Sequence, residues 1–134
     1  MTTRATGSFD VTVAPLTAYA KADGSPLGRM SIDKQFRGDL EGTSQGEMLT
    51  ARTSVKNSAG YVAVERVSGT LHGKTGTFVL QHSATMTRGE PDQAIVVVPD
   101  SGTGELAGIS GRMTIIIADG KHSYAFEYEL SPAP

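Results

Sequence analysis

Glu65 and His82 stand on two alternating segments, Tyr61 to Met86, that meet at Gly73-Lys74-Thr75-Gly76. A hairpin through that tetrapeptide pairs Leu71 with Phe78, Gly69 with Leu80, Val67 with His82 and Glu65 with Ala84. Glu65 and His82 are then diagonal neighbours, roughly 7–8 Å apart at the backbone, a gap that long side chains span directly or through one water. Tyr61, Ala63, Val67, Leu71, Phe78, Leu80 and Met86 share their face. An ionisable pair on so apolar a face is partly desolvated, and its pKa values are open to large shifts. A carboxylate beside an imidazole can move a proton to or from a substrate, with Glu65 as base or electrostatic stabiliser and His82 as its proton partner. The competing assignment gives Glu65 to a core arginine or to water at a barrel mouth.

The last strand extends the same argument. Asp119-Gly120 is a strong two-residue turn signal, because both central positions need positive φ. Pairing about it sets Ile117 against His122, Ile115 against Tyr124 and Met113 against Phe126, with Arg112 and Glu127 as an ion pair on the opposite face. Tyr124 is the expected orienting hydrogen-bond donor. Tyr61, Phe78, Leu80, Phe126 and His122 are the expected ligand contacts, although a strand tyrosine more often ties its hydroxyl to one local partner. His72, His82 and His122 show no close histidine spacing, and His72 and His82 face opposite ways in this register, so no metal site and no cofactor are expected. The glycine-rich Ser101 to Gly108 lacks the lysine and helix of a phosphate loop and reads as a flexible hairpin connection. Cysteine is absent, which removes disulfides, thiolate metal sites and a nucleophilic thiol.

The elements that must position these residues are strands. Phe9, Val11 and Val13 alternate within Gly7 to Val13, which ends near Pro15, and Met30, Ile32 and Phe36 alternate within Arg29 to Leu40, where Lys34 breaks the apolar parity. A turn-rich segment, Lys21 to Pro26, separates the two. Gly42 to Leu49 forms a third strand of undecided facing, so the side taken by Glu47 stays open. Lys56 to Gly60 is the turn into the central hairpin, and Arg88 to Asp92 is a loop. Ala94 to Val98 is a continuous apolar run, expected to be buried on both faces. Arg112 to Ala118 leads into the final turn, and Ser131 to Pro134 is a short exposed end. About eight closely spaced strands without crossover helices predict an all-β single domain, an antiparallel barrel rather than a sandwich, because closure removes exposed edges.

At 134 residues the chain is one domain with room for a real core. The amino terminus has no apolar stretch after Arg4 and so does not read as a signal peptide, and no segment approaches the roughly twenty apolar residues of a membrane-spanning helix. A cytoplasmic protein with no membrane partner is expected. A net charge of −2 with scattered basic residues gives no electrostatic footprint for nucleic acid. Val62, Val64 and Val79 fall on the outer face, an apolar stripe suited to a homodimer or homotrimer.

The blocks Gly42 to Leu49, Tyr61 to Met86 with its Glu65-Arg66 and Gln81-His82 pairs, Ser101 to Leu106 and Asp119 to Tyr124 resemble an uncharacterised family of small bacterial proteins. That family is similar in fold to allene oxide cyclase, which implies an eight-stranded antiparallel barrel with an apolar lumen and, by analogy, a cyclase or isomerase without a cofactor. The resemblance carries no catalytic residues with it. The expected function is enclosure of an apolar or amphipathic small organic molecule in the lumen, with pocket shape holding a reactive conformer if a reaction follows. A non-catalytic carrier or sensor is the alternative, and a filled barrel with a structural role is the third.

Overall fold

The computed structural model describes residues 2–20 and 26–132. The expected turn at Lys21 to Ser25 and the last two residues, Ala133 and Pro134, lie outside the described residues.

Eight antiparallel strands close into one barrel in sequence order: β1 Thr3–Leu16, β2 Leu27–Gly38, β3 Leu40–Arg52, β4 Ala59–Leu71, β5 Lys74–Thr87, β6 Glu90–Val97, β7 Ile109–Ala118 and β8 Lys121–Leu130. β8 pairs back onto β1, Ala5 against Phe126 and Phe9 against His122, so no sheet edge is left open there. Alternation sends one parity of each strand inward and leaves the other in solvent, which is how a chain so rich in glycine and threonine still assembles a continuous core. Ile117 against His122, Ile115 against Tyr124 and Met113 against Phe126 are the observed pairs of the last hairpin, with Asp119 and Gly120 both at positive φ in its turn. Glu127 sits opposite Arg112 as expected, but its carboxylate closes on Arg4 of β1 at 3.5 Å.

The central hairpin turns earlier than the sequence predicts. His72 (φ 46°) and Gly73 (φ 81°) form the turn, and Lys74 to Gly76 belong to β5. Two consecutive residues at positive φ are what a tight two-residue hairpin needs. Gly76 serves a different purpose: a Cβ there would lie 2.1 Å from the Thr103 carbonyl, so this glycine lets the segment before β7 pack against β5. The pairs become Leu71 with Lys74, Val67 with Phe78, Glu65 with Leu80 and Ala63 with His82. The shift is an even number of residues, so every side chain keeps its face. Glu65 and His82 remain diagonal neighbours, now approached from the other side.

Three further expectations change. Ala59 and Gly60 belong to β4 rather than to the preceding turn. The run from Ala94 to Val98 is not buried on both faces: Ile95 and Val97 are buried while Ala94 is exposed, because a closed barrel offers β6 only one dry side. Ser101 to Gly108 contains a 3₁₀ turn, Gly104–Leu106, which drives Leu106 fully into the core beneath β5. That segment is the plug of one barrel end.

Candidate functional site

The two ends of the barrel are built differently, and the ionisable residues lie between them. At the end carrying the β2–β3 and β4–β5 turns, Leu40, Leu71, Leu106 and Ile109 close the lumen over Phe78 and Phe126, whose rings stack at 5.6 Å. Tyr124 sits in the same layer. Its hydroxyl accepts the Leu40 N–H at 2.9 Å and donates to the Arg37 carbonyl at 2.9 Å, with the Leu40 carbonyl as a second acceptor at 3.2 Å. Tyr128 is tied at the same end to His72 Nδ1 at 2.6 Å, and His72 Nε2 in turn lies 3.6 Å from Asp39. Of the expected ligand contacts, Tyr124, Phe78, Leu80 and Phe126 therefore belong to packed interior whose polar atoms are already satisfied.

The middle of the lumen holds four polar side chains in one contact set. Glu65 is fully buried, and its carboxylate receives Lys34 Nζ at 2.9 Å on Oε2 and the Ser44 hydroxyl at 3.1 Å on Oε1. His82 Nε2 lies 2.8 Å from Oε2 but too obliquely to the ring N–H to form an in-line hydrogen bond. Burial pushes the Glu65 carboxyl up. The contact from His82 and the positive charge of Lys34 push it down and prevail, so Glu65 stays below the usual carboxylate range and ionised at neutral pH. Lys34 also lies over the rings of Phe9 at 5.0 Å and Phe36 at 5.8 Å, a cation held by aromatic faces as well as by its counter-ion. Strand geometry makes room for the cluster at Gly46, which pairs with Glu65: a Cβ there would stand 2.8 Å from the Glu65 Cβ.

Alternation finds Glu65 and His82 but not their partners. Lys34 is the parity exception of β2, and that exception is the signal: an inward lysine needs an inward acid. Ser44 was out of reach because the facing of β3 was undecided. With the register known, Ser44 points in and Glu47 points out, to an ion pair with Arg29 at 2.6 Å.

The other end is left uncovered by the described residues. A cavity of about 720 Å³ occupies it, lined among others by Leu16, Leu27, Met30, Tyr61, Ala84, Met86, Ile115 and Ile117. Tyr61 joins this cavity to the cluster, because its ring lies 6.3 Å from that of His82. Burial, and then the negative charge of Glu65, raise the Tyr61 pKa, so its phenol stays protonated, and no hydrogen-bond partner for it occurs among the described residues. His122 stands near the same end, half-buried against Phe9 at 5.2 Å. A second concavity, about 680 Å³, lies on the outer face around Leu49, Val62 and Val64. Ala63 and His82 border it too, but their inward parity means that they present backbone to it. Val79 is half-buried beside this face.

Among the described residues no three His, Asp or Glu side chains gather to hold a metal, and no helix is long and apolar enough to cross a membrane.

The comparison with protein families matches residues 5–128 to a family described as protein of unknown function (DUF3224). The chain belongs to that family. A crystal structure of a DUF3224 protein of unknown function from Shewanella oneidensis MR-1 is similar to it throughout, with 52% identity, a TM-score of 0.96, and coverage of 99% of this chain and 100% of that one. The comparison with curated proteins finds no match.

Proposed function

We propose that this barrel takes an apolar or amphipathic small organic molecule into its open end, above the Lys34–Ser44–Glu65–His82 cluster. The observation that carries this reading is the cavity of about 720 Å³ with aliphatic walls and Tyr61 at its inner side. Its size falls in the range of about 300–1,000 Å³ usual for small-molecule sites, and few polar groups among apolar walls is the usual composition. The ligand contacts of this reading are Tyr61, Met30, Ala84 and Ile115, with His122 near the rim.

A cofactor-free isomerase or cyclase is the second reading, favoured by His82. An imidazole 2.8 Å from a carboxylate that Lys34 and Ser44 already hold is a group that can act as a base in proton transfer. Glu65 is then the electrostatic stabiliser and His82 the group nearer the substrate. The allene-oxide-cyclase-like resemblance belongs to this reading, as do a cytoplasmic setting and a homodimer or homotrimer through Val62 and Val64.

Native mass spectrometry of freshly purified protein tests the first reading. The expected result is a discrete organic adduct released on denaturation, or captured from a library of apolar compounds, and absent in Ala84→Trp, whose indole fills the mouth. A clean apo mass with no capture from the library overturns it.

A further inference from the structure

Resting on the binding reading above, we infer that Tyr61 and His82 form a proton-transfer pair for an apolar ketone or enone, with Tyr61 donating to the carbonyl oxygen and His82 taking the proton from the adjacent carbon.

The inference starts from which nitrogen of His82 is basic. Nε2 faces the Glu65 carboxylate at 2.8 Å, and Glu65 is already held ionised by Lys34 and Ser44. Even at that oblique angle an N–H dipole is favoured over a lone pair beside an anion, so Nε2 is assigned the proton and Nδ1 the lone pair. Nδ1 has no hydrogen-bond partner among the described residues. The residues between His82 and the mouth are small: Ala63 is its cross-strand partner and Ala84 its same-face neighbour on β5. Ile95 is its partner on β6 and Tyr61 lies beside it from β4; the Tyr61 phenol has no hydrogen-bond partner among the described residues and is on the cavity wall. Tyr61 on the wall of a largely apolar cavity and His82 just behind it thus stand side by side, a donor next to a base.

Those two groups differ in what they can do. Tyr61 keeps its proton because burial and the nearby Glu65 charge both oppose phenolate, so it is a hydrogen-bond donor throughout the neutral range. Aimed at a carbonyl, it strengthens its bond as the oxygen gains charge, which is the stabilisation an enolate requires. In the step, the C–H bond next to the carbonyl breaks, its electron pair becomes the enolate C=C, and the carbonyl π pair moves to oxygen. The proton goes to Nδ1 of His82, and Glu65 balances the imidazolium. Return of the proton to the same carbon regenerates the ketone. Return to the far carbon of an enone's dienolate moves the double bond, and neither outcome needs an oxidant or a cofactor. The largely apolar walls select the apolar part of the substrate.

The test uses the full chain with methyl heptyl ketone and β-ionone in D₂O. Binding is read by saturation-transfer NMR and turnover by loss of the protons next to the carbonyl. The expected result is binding of at least one ketone with exchange well above buffer. At saturating ketone, Tyr61→Phe should slow the exchange by about 10²–10³-fold, the usual effect of losing one oxyanion donor. His82→Gln should slow it by about 10²–10⁴-fold, the usual contribution of a positioned general base. A bound ketone that exchanges no faster than in buffer overturns the inference and leaves the binding reading standing. Exchange that survives Tyr61→Phe unchanged overturns the role of Tyr61. Failure of both ketones to bind overturns the inference, while the adduct experiment with Ala84→Trp judges the binding reading separately.

Discussion

The closed and open halves of this barrel are made from the same strands and the same alternation, yet one is a packed interior and the other surrounds a cavity. In the closed half the inward positions are Phe36, Leu40, Val67, Phe78 and Phe126, all essentially inaccessible, and Leu106 seals them from a separate segment. In the open half the same parity continues through Val13, Met86 and Ile117, which are 47%, 42% and 67% exposed. The difference is one of supply: nothing among the described residues covers the open half as Leu106 covers the closed one. Between them the polar cluster marks the depth at which the dry interior begins. A barrel of this size can be filled by its own side chains or leave room for one small ligand, and here one part of the axis is filled while another keeps a cavity.

The sharpest way to break that contrast is at the boundary. Glu65→Gln leaves Lys34 buried beside two aromatic rings without its counter-ion and is expected to destabilise the fold by about 3–5 kcal/mol, measured by urea unfolding. Adding Lys34→Met should return much of that loss, since a buried pair replaced on both sides by uncharged groups is often close to neutral. A double variant no more stable than Glu65→Gln would mean that the ion pair is not what the carboxylate is for. Acid should act on the same contact. The Glu65 pKa is lower in the folded chain than its ordinary value of about 4.5, so the unfolded chain binds the extra proton first. The stabilisation is complete above that ordinary value and is lost as pH falls through the lower folded one. The urea midpoint should drop across this acidic interval in the wild type and drop less in the double variant.

How much of this was legible in the sequence follows from what alternation encodes. A period of two records which face a residue takes, and it survives a register error of an even number of residues, which is why Glu65 and His82 meet although the hairpin turns at His72-Gly73 rather than at Gly73 to Gly76. It says nothing about depth along the barrel. Tyr61 and Tyr124 share inward parity, but one lines the cavity and the other spends its hydroxyl on the backbone of Arg37 and Leu40, and only the closed barrel order separates them. Lys34 was visible as a violation of the pattern without a partner to explain it, because Glu65 lies two strands away, across β3. Leu106 was hidden by its glycine-rich surroundings, which look like a mobile connection until Gly76 and Gly102 prove to be places where backbones touch.

Within the closed half, Tyr124→Phe tests whether that tyrosine is a tie or a ligand contact. It deletes the acceptor of the buried Leu40 N–H and is expected to cost about 1–3 kcal/mol while leaving ligand capture at the mouth unchanged. Lost capture with intact stability would return Tyr124 to the site.

The smallest effect is expected in the open half, and its smallness is informative. Ile117 is a large apolar residue on the inward parity, and in the closed half its removal would cost several kcal/mol by leaving a cavity. At 67% exposure there is little burial to lose, so Ile117→Ser should change stability by no more than about 0.5 kcal/mol. If the mouth is a vessel, the same change should weaken capture of an apolar ligand, because it places a hydroxyl on an aliphatic wall. Stability and capture then separate at Ile117 in the sense opposite to Tyr124. If Ile117→Ser instead lowers stability as a core substitution does, the open half is covered in solution, by the chain itself or by a second copy, and the cavity is not the free entrance that the binding reading requires.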